Sequence, residues 1–211
     1  NPLFNRELSW LEFNRHVLDE ATDDTLPVLE RLKFLSIFST NLDEFFMIRV
    51  AGLKEQIAEG VGELSPDGMT ASEQVREIYK RLRPMLKRQV SYLGEVVFPA
   101  LEKAGITIDA YASLTAKDKK LLDKYFRDNL FPILTPQSVD SSHPFPYISN
   151  LSMNLGLIIE PNRALTQPNL RYLFKQKRFG RIKLPPSVPR LIPINEKKGR
   201  YALLEEVIAA N

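Results

Sequence analysis

The chain has 211 residues, 44% hydrophobic and 26% charged, with no cysteine and a formal net charge of +3. That length holds one large or two small domains, and that apolar content excludes wholesale disorder. The lack of cysteine excludes disulfides and zinc–thiolate sites and suits a reducing cytoplasm, and no apolar run approaches the ~18–20 residues that span a bilayer.

The charge is unevenly placed. Residues 1–105 carry 13 Lys and Arg against 17 Asp and Glu, a net of −4; residues 106–211 carry 16 against 9, a net of +7. Ten of the 15 prolines follow residue 131. These shifts predict an α+β chain of two units: an all-helical bundle over 1–105, then a smaller mixed α/β unit over 106–211, incomplete at its C-terminus.

The first helix is expected to start at Ser9, where Ser9-Trp10-Leu11-Glu12 spells a capping box and Leu8 and Phe13 sit as a hydrophobic staple. Leu11, Asn14, Val17, Leu18 and Ala21 continue one face. A second helix enters at Pro27 with Val28, Leu29, Leu32, Leu35 and Phe38 as its stripe. Ser39-Thr40-Asn41 is read as a break. A third helix then runs from Leu42 to about Glu59, capped by Asn41 and Glu44, with Gly60 as its stop. Thr70 and Glu73 cap a fourth helix toward Ala104, with Val75, Ile78, Leu82, Leu86, Leu93, Val97 and Leu101 on one side. Pro84 and Pro99 should kink or break it, and Gly105 ends it.

The second unit opens with a strand at 106–108, followed by a helix over about 115–129. Strands are expected within 151–160, 171–184 and 190–194, and a helix over 201–210. The chain opens at Asn1 without a Met, which reads as processing or trimming, and stops at Asn211 in a helical pattern without a cap, which reads as a cut.

No complete catalytic set is present. His16 and His143 lack a second histidine nearby, so metal-ligand spacing is absent, and there is no GxxxxGK[ST] or GxGxxG phosphate loop. The Asn41–Glu44 knot carries more chemistry. An asparagine amide offers donors and an acceptor that match the edge of an adenine, and the N–H groups of a helix start favour anions. Phe34, Phe38, Phe45 and Phe46 lie near enough to wall a flat base. The same residues also fit a plain helix cap over a core, and Asp43 and Glu44 would repel phosphate there. In the back half, strand alternation puts Lys175, Lys177, Arg181 and Lys183 on one face, which suits either a polyanion track or a lysine-protected strand edge. The +7 half raises nucleic-acid binding as a second class, without the interleaved aromatics and glycines of common RNA modules; a helical interaction module is a third.

The blocks ELSWLEFNRHVLDEA (7–21), LERLKFLSIFSTNLDEFFMIRVAGL (29–53), HPFPYISNLSMNL (143–155) and FGRIKLPPSVPRLIPI (179–194) closely resemble the opening of the bacterial polyphosphate kinases, ATP-dependent enzymes that work through a phosphohistidine. The resemblance implies a helical N-terminal domain, then part of a mixed α/β head domain. It implies that Asn41 contributes to ATP binding near the base; Phe45 and Phe38, from the aromatic reading above, are the candidates to lie beside it. The phosphorylated histidine and the arginines around phosphates and Mg2+ belong to two later domains resembling phospholipase D. No stretch here matches them, so no catalytic or metal-binding residue is assigned, and His16 and His143 do not inherit the role. Also implied are ATP, ADP and polyphosphate as partners, Mg2+ in the parent enzyme, and a homodimer joined through the head domain. The setting implied is cytoplasmic with peripheral attachment at the inner membrane face, and no nucleic acid is involved.

Overall fold

The computed structural model describes residues 3–139, 144–160 and 177–211. The chain is α+β and divides into two compact units, Asn1–Gly105 and Ile106–Asn211.

The first unit is built on α1 (Arg6–Ala21), α2 (Val28–Phe45), α3 (Ala51–Ala58), α4 (Ala71–Tyr92) and α5 (Phe98–Lys103). Helix α1 starts at Arg6, because Asn5 and not Ser9 is the N-cap. The Asn5 side-chain oxygen accepts from the backbone N–H of Glu7 at 3.0 Å and of Leu8 at 3.1 Å. Its amide nitrogen donates to Gln74 Oε1 and Asp67 Oδ1, both at 3.1 Å, so this cap also has tertiary partners. Leu8 then faces the core and Phe13 faces outward, and the predicted staple does not form.

No break occurs at Ser39-Thr40-Asn41. Helix α2 passes through it and continues through a π turn, Phe46–Val50, into α3. Hydroxyls here bond back along the helix: Thr40 Oγ1, within the expected break, donates to Ser36 O at 3.0 Å, and Ser36 Oγ in turn to Leu32 O at 3.1 Å. The buried residues of this rod, Leu35, Phe38, Leu42 and Phe45, step by three or four; the next is Val50, five further on, then Leu53. The π turn absorbs that extra residue and keeps the apolar face inward.

Helix α4 opens as expected, with Glu73 N–H donating to Thr70 Oγ1 at 3.2 Å and Thr70 N–H to Glu73 Oε2 at 2.9 Å. Pro84 sits inside α4 without ending it. The interruption comes later, as a second π turn at Leu93–Val97, and Pro99 occupies the first turn of α5, where its missing N–H is not needed. Ile78, Leu82 and Met85 face the core, whereas Leu86 is exposed. Gln89 Nε2 ties α4 to α2 through Leu35 O at 3.0 Å and Ser39 Oγ at 2.6 Å, and Arg88 ties it to α1 through Asp19 at 2.5 Å.

Among the described residues the second unit has two three-stranded sheets. The first has the order β1 (Thr107–Ile108), β6 (Arg200–Leu203), β5 (Leu191–Asn195), with β1 parallel and β5 antiparallel to β6. The second has β4 (Arg178–Lys183) between β2 (Pro136–Val139) and β3 (Asn154–Ile159), antiparallel throughout. Helices α6 (Ala116–Tyr125) and α7 (Leu204–Ala209) also belong to it. Residues 201–203, expected to be helical, form β6, and the helix begins only at Leu204. Leu122, Phe126 and Leu130 pack with Ile192, Ile194, Ala202 and Val207 in the core. Arg200 reaches across to Asp109 at 2.6 Å and Asp118 at 3.3 Å. Gly180, on the central strand, leaves room for Ile159: a Cβ there would lie 2.7 Å from Ile159 Cδ1.

Asn5→Ala is expected to lower stability by about 1–2 kcal/mol, with Ser9→Ala within about 0.5 kcal/mol of the parent. Urea unfolding of both variants checks the cap assignment, and a larger loss at Ser9 would refute it. Leu151 holds φ 55° while exposed, so Leu151→Gly should not destabilise and is expected to raise the midpoint slightly, measurable by thermal melting.

Candidate functional site

The two motif stretches of the first unit meet side by side. Helices α1 and α2 run antiparallel, and three pairs join them at matching steps. Asn14, fully buried, donates through Nδ2 to Phe38 O at 3.1 Å and accepts at Oδ1 from Asn41 Nδ2 at 2.9 Å. Trp10 and Phe45 stack with ring centroids 4.3 Å apart and planes 2° from parallel. Glu7, only 6% exposed in its side chain, accepts from Arg49 at 3.1 Å and from Arg6 at 2.6 Å. Arg49 lies in the π turn, which lets it hold Glu7 while Val50 enters the core.

Asn41 is therefore a mid-helix residue, and the anion-favouring N–H groups of a helix start are absent around it. Its side chain is half-buried. Asn14 holds one of its amide hydrogens, and its oxygen has no hydrogen-bonding partner among the described residues. Phe38 and Phe45 are core side chains at 0% and 2% exposure, the latter covered by Trp10, so the structure does not bring an open aromatic wall to Asn41. Phe46 is half-buried and packs against Tyr79 on the other flank of α2. Ser39, Leu42, Asp43 and Phe46 line a groove of about 380 Å3 with Tyr79, Leu82, Arg83 and Leu86 of α4. Sequence reasoning missed this groove; the near-heptad recurrence of Tyr79, Leu82 and Leu86 was its signal.

The basic row of the second unit is largely engaged. Lys177 pairs with Glu160 at 2.5 Å. Arg181, 8% exposed on the central strand, donates to Tyr147 O at 3.0 Å, and its Nε is buried without a partner among the described residues. Lys183 donates to Ser149 Oγ at 2.8 Å, and Phe145 stacks on Phe179 at 5.7 Å. Residues 145–149 thus lie along this face of the sheet, and the cations hold them instead of forming an open stripe. Lys175 and His143 lie outside the described residues. His16 is exposed, 3.7 Å from Asp19. Among the described residues no three His, Cys, Asp or Glu side chains gather as a metal site, and no helix is long and apolar enough to cross a membrane.

The chain thus has a helical unit whose first two helices are joined by an amide pair, a ring stack and an ion pair, and a second unit with two small sheets. Residues 3–109 match the polyphosphate kinase N-terminal domain family and residues 117–211 the polyphosphate kinase middle domain family, and the chain belongs to the polyphosphate kinase family. A polyphosphate kinase of Synechocystis is 47% identical over 92% of this chain and 25% of its own length, and polyphosphate kinase 1 of Chlorobaculum tepidum is 42% identical over 98% of this chain and 30% of its own. The crystal structure of polyphosphate kinase from Porphyromonas gingivalis superposes with a TM-score of 0.79 at 27% identity, covering all of this chain and 30% of that one. The chain thus spans about a quarter to three-tenths of the length of these relatives.

A double-mutant cycle on Glu7→Gln and Arg49→Gln is expected to give a coupling of about 1–2 kcal/mol, below the range of fully buried pairs because the Arg49 side chain is 35% exposed. Denaturant unfolding of the four proteins measures it; strict additivity would remove this rung from the seam.

Proposed function

We propose that this chain is the nucleotide-proximal part of a polyphosphate kinase that reversibly transfers the terminal phosphate of ATP to inorganic polyphosphate, with the base contacted by Asn41. The phosphoryl chemistry and the Mg2+ belong to domains outside this chain, and no residue here is assigned to them. The second unit contributes contacts between subunits of a dimer.

The observation that carries the reading is the Asn14–Asn41 pair. Asn14 is itself held by a main-chain carbonyl, so it fixes the plane of the Asn41 amide and spends only one of its hydrogens. The remaining N–H and the oxygen form the donor–acceptor pair that an adenine edge matches. A preset amide loses little freedom when a base docks, which favours binding. Phe38 and Phe45 act behind it: by filling the core they hold α2 against α1 and keep Asn41 in register.

In the full-length kinase, Asn41→Ala is expected to weaken ATP binding by about tenfold, the size of one lost bidentate contact. The unfolding midpoint is expected to fall as well, because the fully buried Asn14 loses the donor to its oxygen, so ATP binding is measured under conditions where both proteins are folded. Equilibrium binding of ATP, beside the same measurement for Asn14→Ala, checks this. ATP affinity unchanged in Asn41→Ala would leave Asn41 as a packing residue and end the proposal.

A further inference from the structure

Helix α4 carries a feature that the nucleotide reading does not use. Arg76, Lys80, Arg83 and Lys87 follow one another at intervals of four, three and four residues, so they lie along one helical face. At 1.5 Å per residue the row is about 16 Å long, with a cation roughly every turn. All four are exposed. Among the described residues Arg76, Arg83 and Lys87 form no salt bridge, and Lys80 makes only a long one to Glu77 at 3.4 Å. The same four line a groove of about 720 Å3 with Tyr79 and Pro84, and Arg83 and Tyr79 also line the second groove, between α4 and α2. The unit that carries this row has a net charge of −4, so the row is a local reversal of sign and not a sample of a basic surface.

Like charges three and four residues apart repel one another, and among the described residues Glu73 and Glu77 offset this only at the Arg76–Lys80 end, which leaves Arg83 and Lys87 without a carboxylate partner. A regular row of point charges on a rigid rod suits a flexible linear polyanion whose charges repeat along its length. We propose that this face of α4 binds a run of inorganic polyphosphate, seated along Arg76, Lys80, Arg83 and Lys87. The ligand class rests on the polyphosphate kinase reading above; the location does not, since the Asn41 amide lies on the α1 flank of α2 and the α4 row is separate from it. Inorganic polyphosphate is favoured over RNA because the row offers cations at every turn and only one aromatic, Tyr79, which already packs on Phe46.

The test uses the 211-residue chain and fluorescently labelled long-chain polyphosphate, followed by anisotropy from about 50 to about 200 mM salt. Arg76→Gln/Arg83→Gln/Lys87→Gln breaks no salt bridge and is expected to weaken binding at low salt by at least about tenfold and to flatten the salt dependence. The control Lys54→Gln/Lys103→Gln/Lys117→Gln removes the same charge from exposed positions elsewhere and is expected to change affinity by less than about threefold. Circular dichroism establishes that both variants are folded. Equal losses in the two variants, no binding by the parent chain, or RNA displacing polyphosphate at matched phosphate concentration would each overturn the proposal. None of these outcomes bears on ATP binding by Asn41→Ala, so failure here is distinguishable from failure of the nucleotide reading.

Discussion

The helical unit depends on one seam, the antiparallel contact of α1 and α2. Its rungs are unlike: an amide pair at Asn14 and Asn41, a ring stack at Trp10 and Phe45, a carboxylate–guanidinium pair at Glu7 and Arg49. Apolar packing alone tolerates slippage between two helices. An amide that must meet an amide, beside a ring that must meet a ring, does not, because a slip of one turn would bury Asn14 without a partner. The seam thus converts a generic apolar contact into a single register, and everything that Asn41 presents follows from that register.

Much of this was readable from the residues. Asn14 stood in the apolar face of α1 before its partner was known, and it proves fully buried. The Thr70–Glu73 capping box and the entry of α2 after Pro27 stand where expected, β1 and β3 lie within the predicted stretches, and β5 runs one residue past its own, to Asn195. These are features in which local chemistry and tertiary packing agree, so a local reading suffices.

The misreadings share a physical cause: local side-chain chemistry has more than one outlet. Thr40 can cap a helix or bond back to a carbonyl one turn earlier, and inside a packed rod it does the latter. Asn5 looked unremarkable beside the Ser9 box, yet it wins because Gln74 and Asp67, more than sixty residues away in sequence, satisfy its amide as well. The lysines and arginines of β4 read as a free row because nothing in their alternation reveals that residues 145–149 lie along the same face. Residues 201–203 carried a helical pattern, and pairing with β1 and β5 overrides it.

The π turn at Phe46–Val50 works as a phase shifter. One surplus residue in the rod rotates everything after it by about 100° relative to an uninterrupted α-helix. Upstream of it the seam is read on one angular setting; downstream, Val50 and Leu53 are read on another. The rod therefore carries one residue more than a plain α-helix needs to keep these side chains on one face. Deleting a residue between Phe45 and Val50 would restore the regular three-and-four spacing with Leu53 still inward, at the expense of where Arg49 is held, whereas inserting a second would turn Leu53 away from the core and uncouple α3 from α4 while leaving the Asn14–Asn41 contact in place.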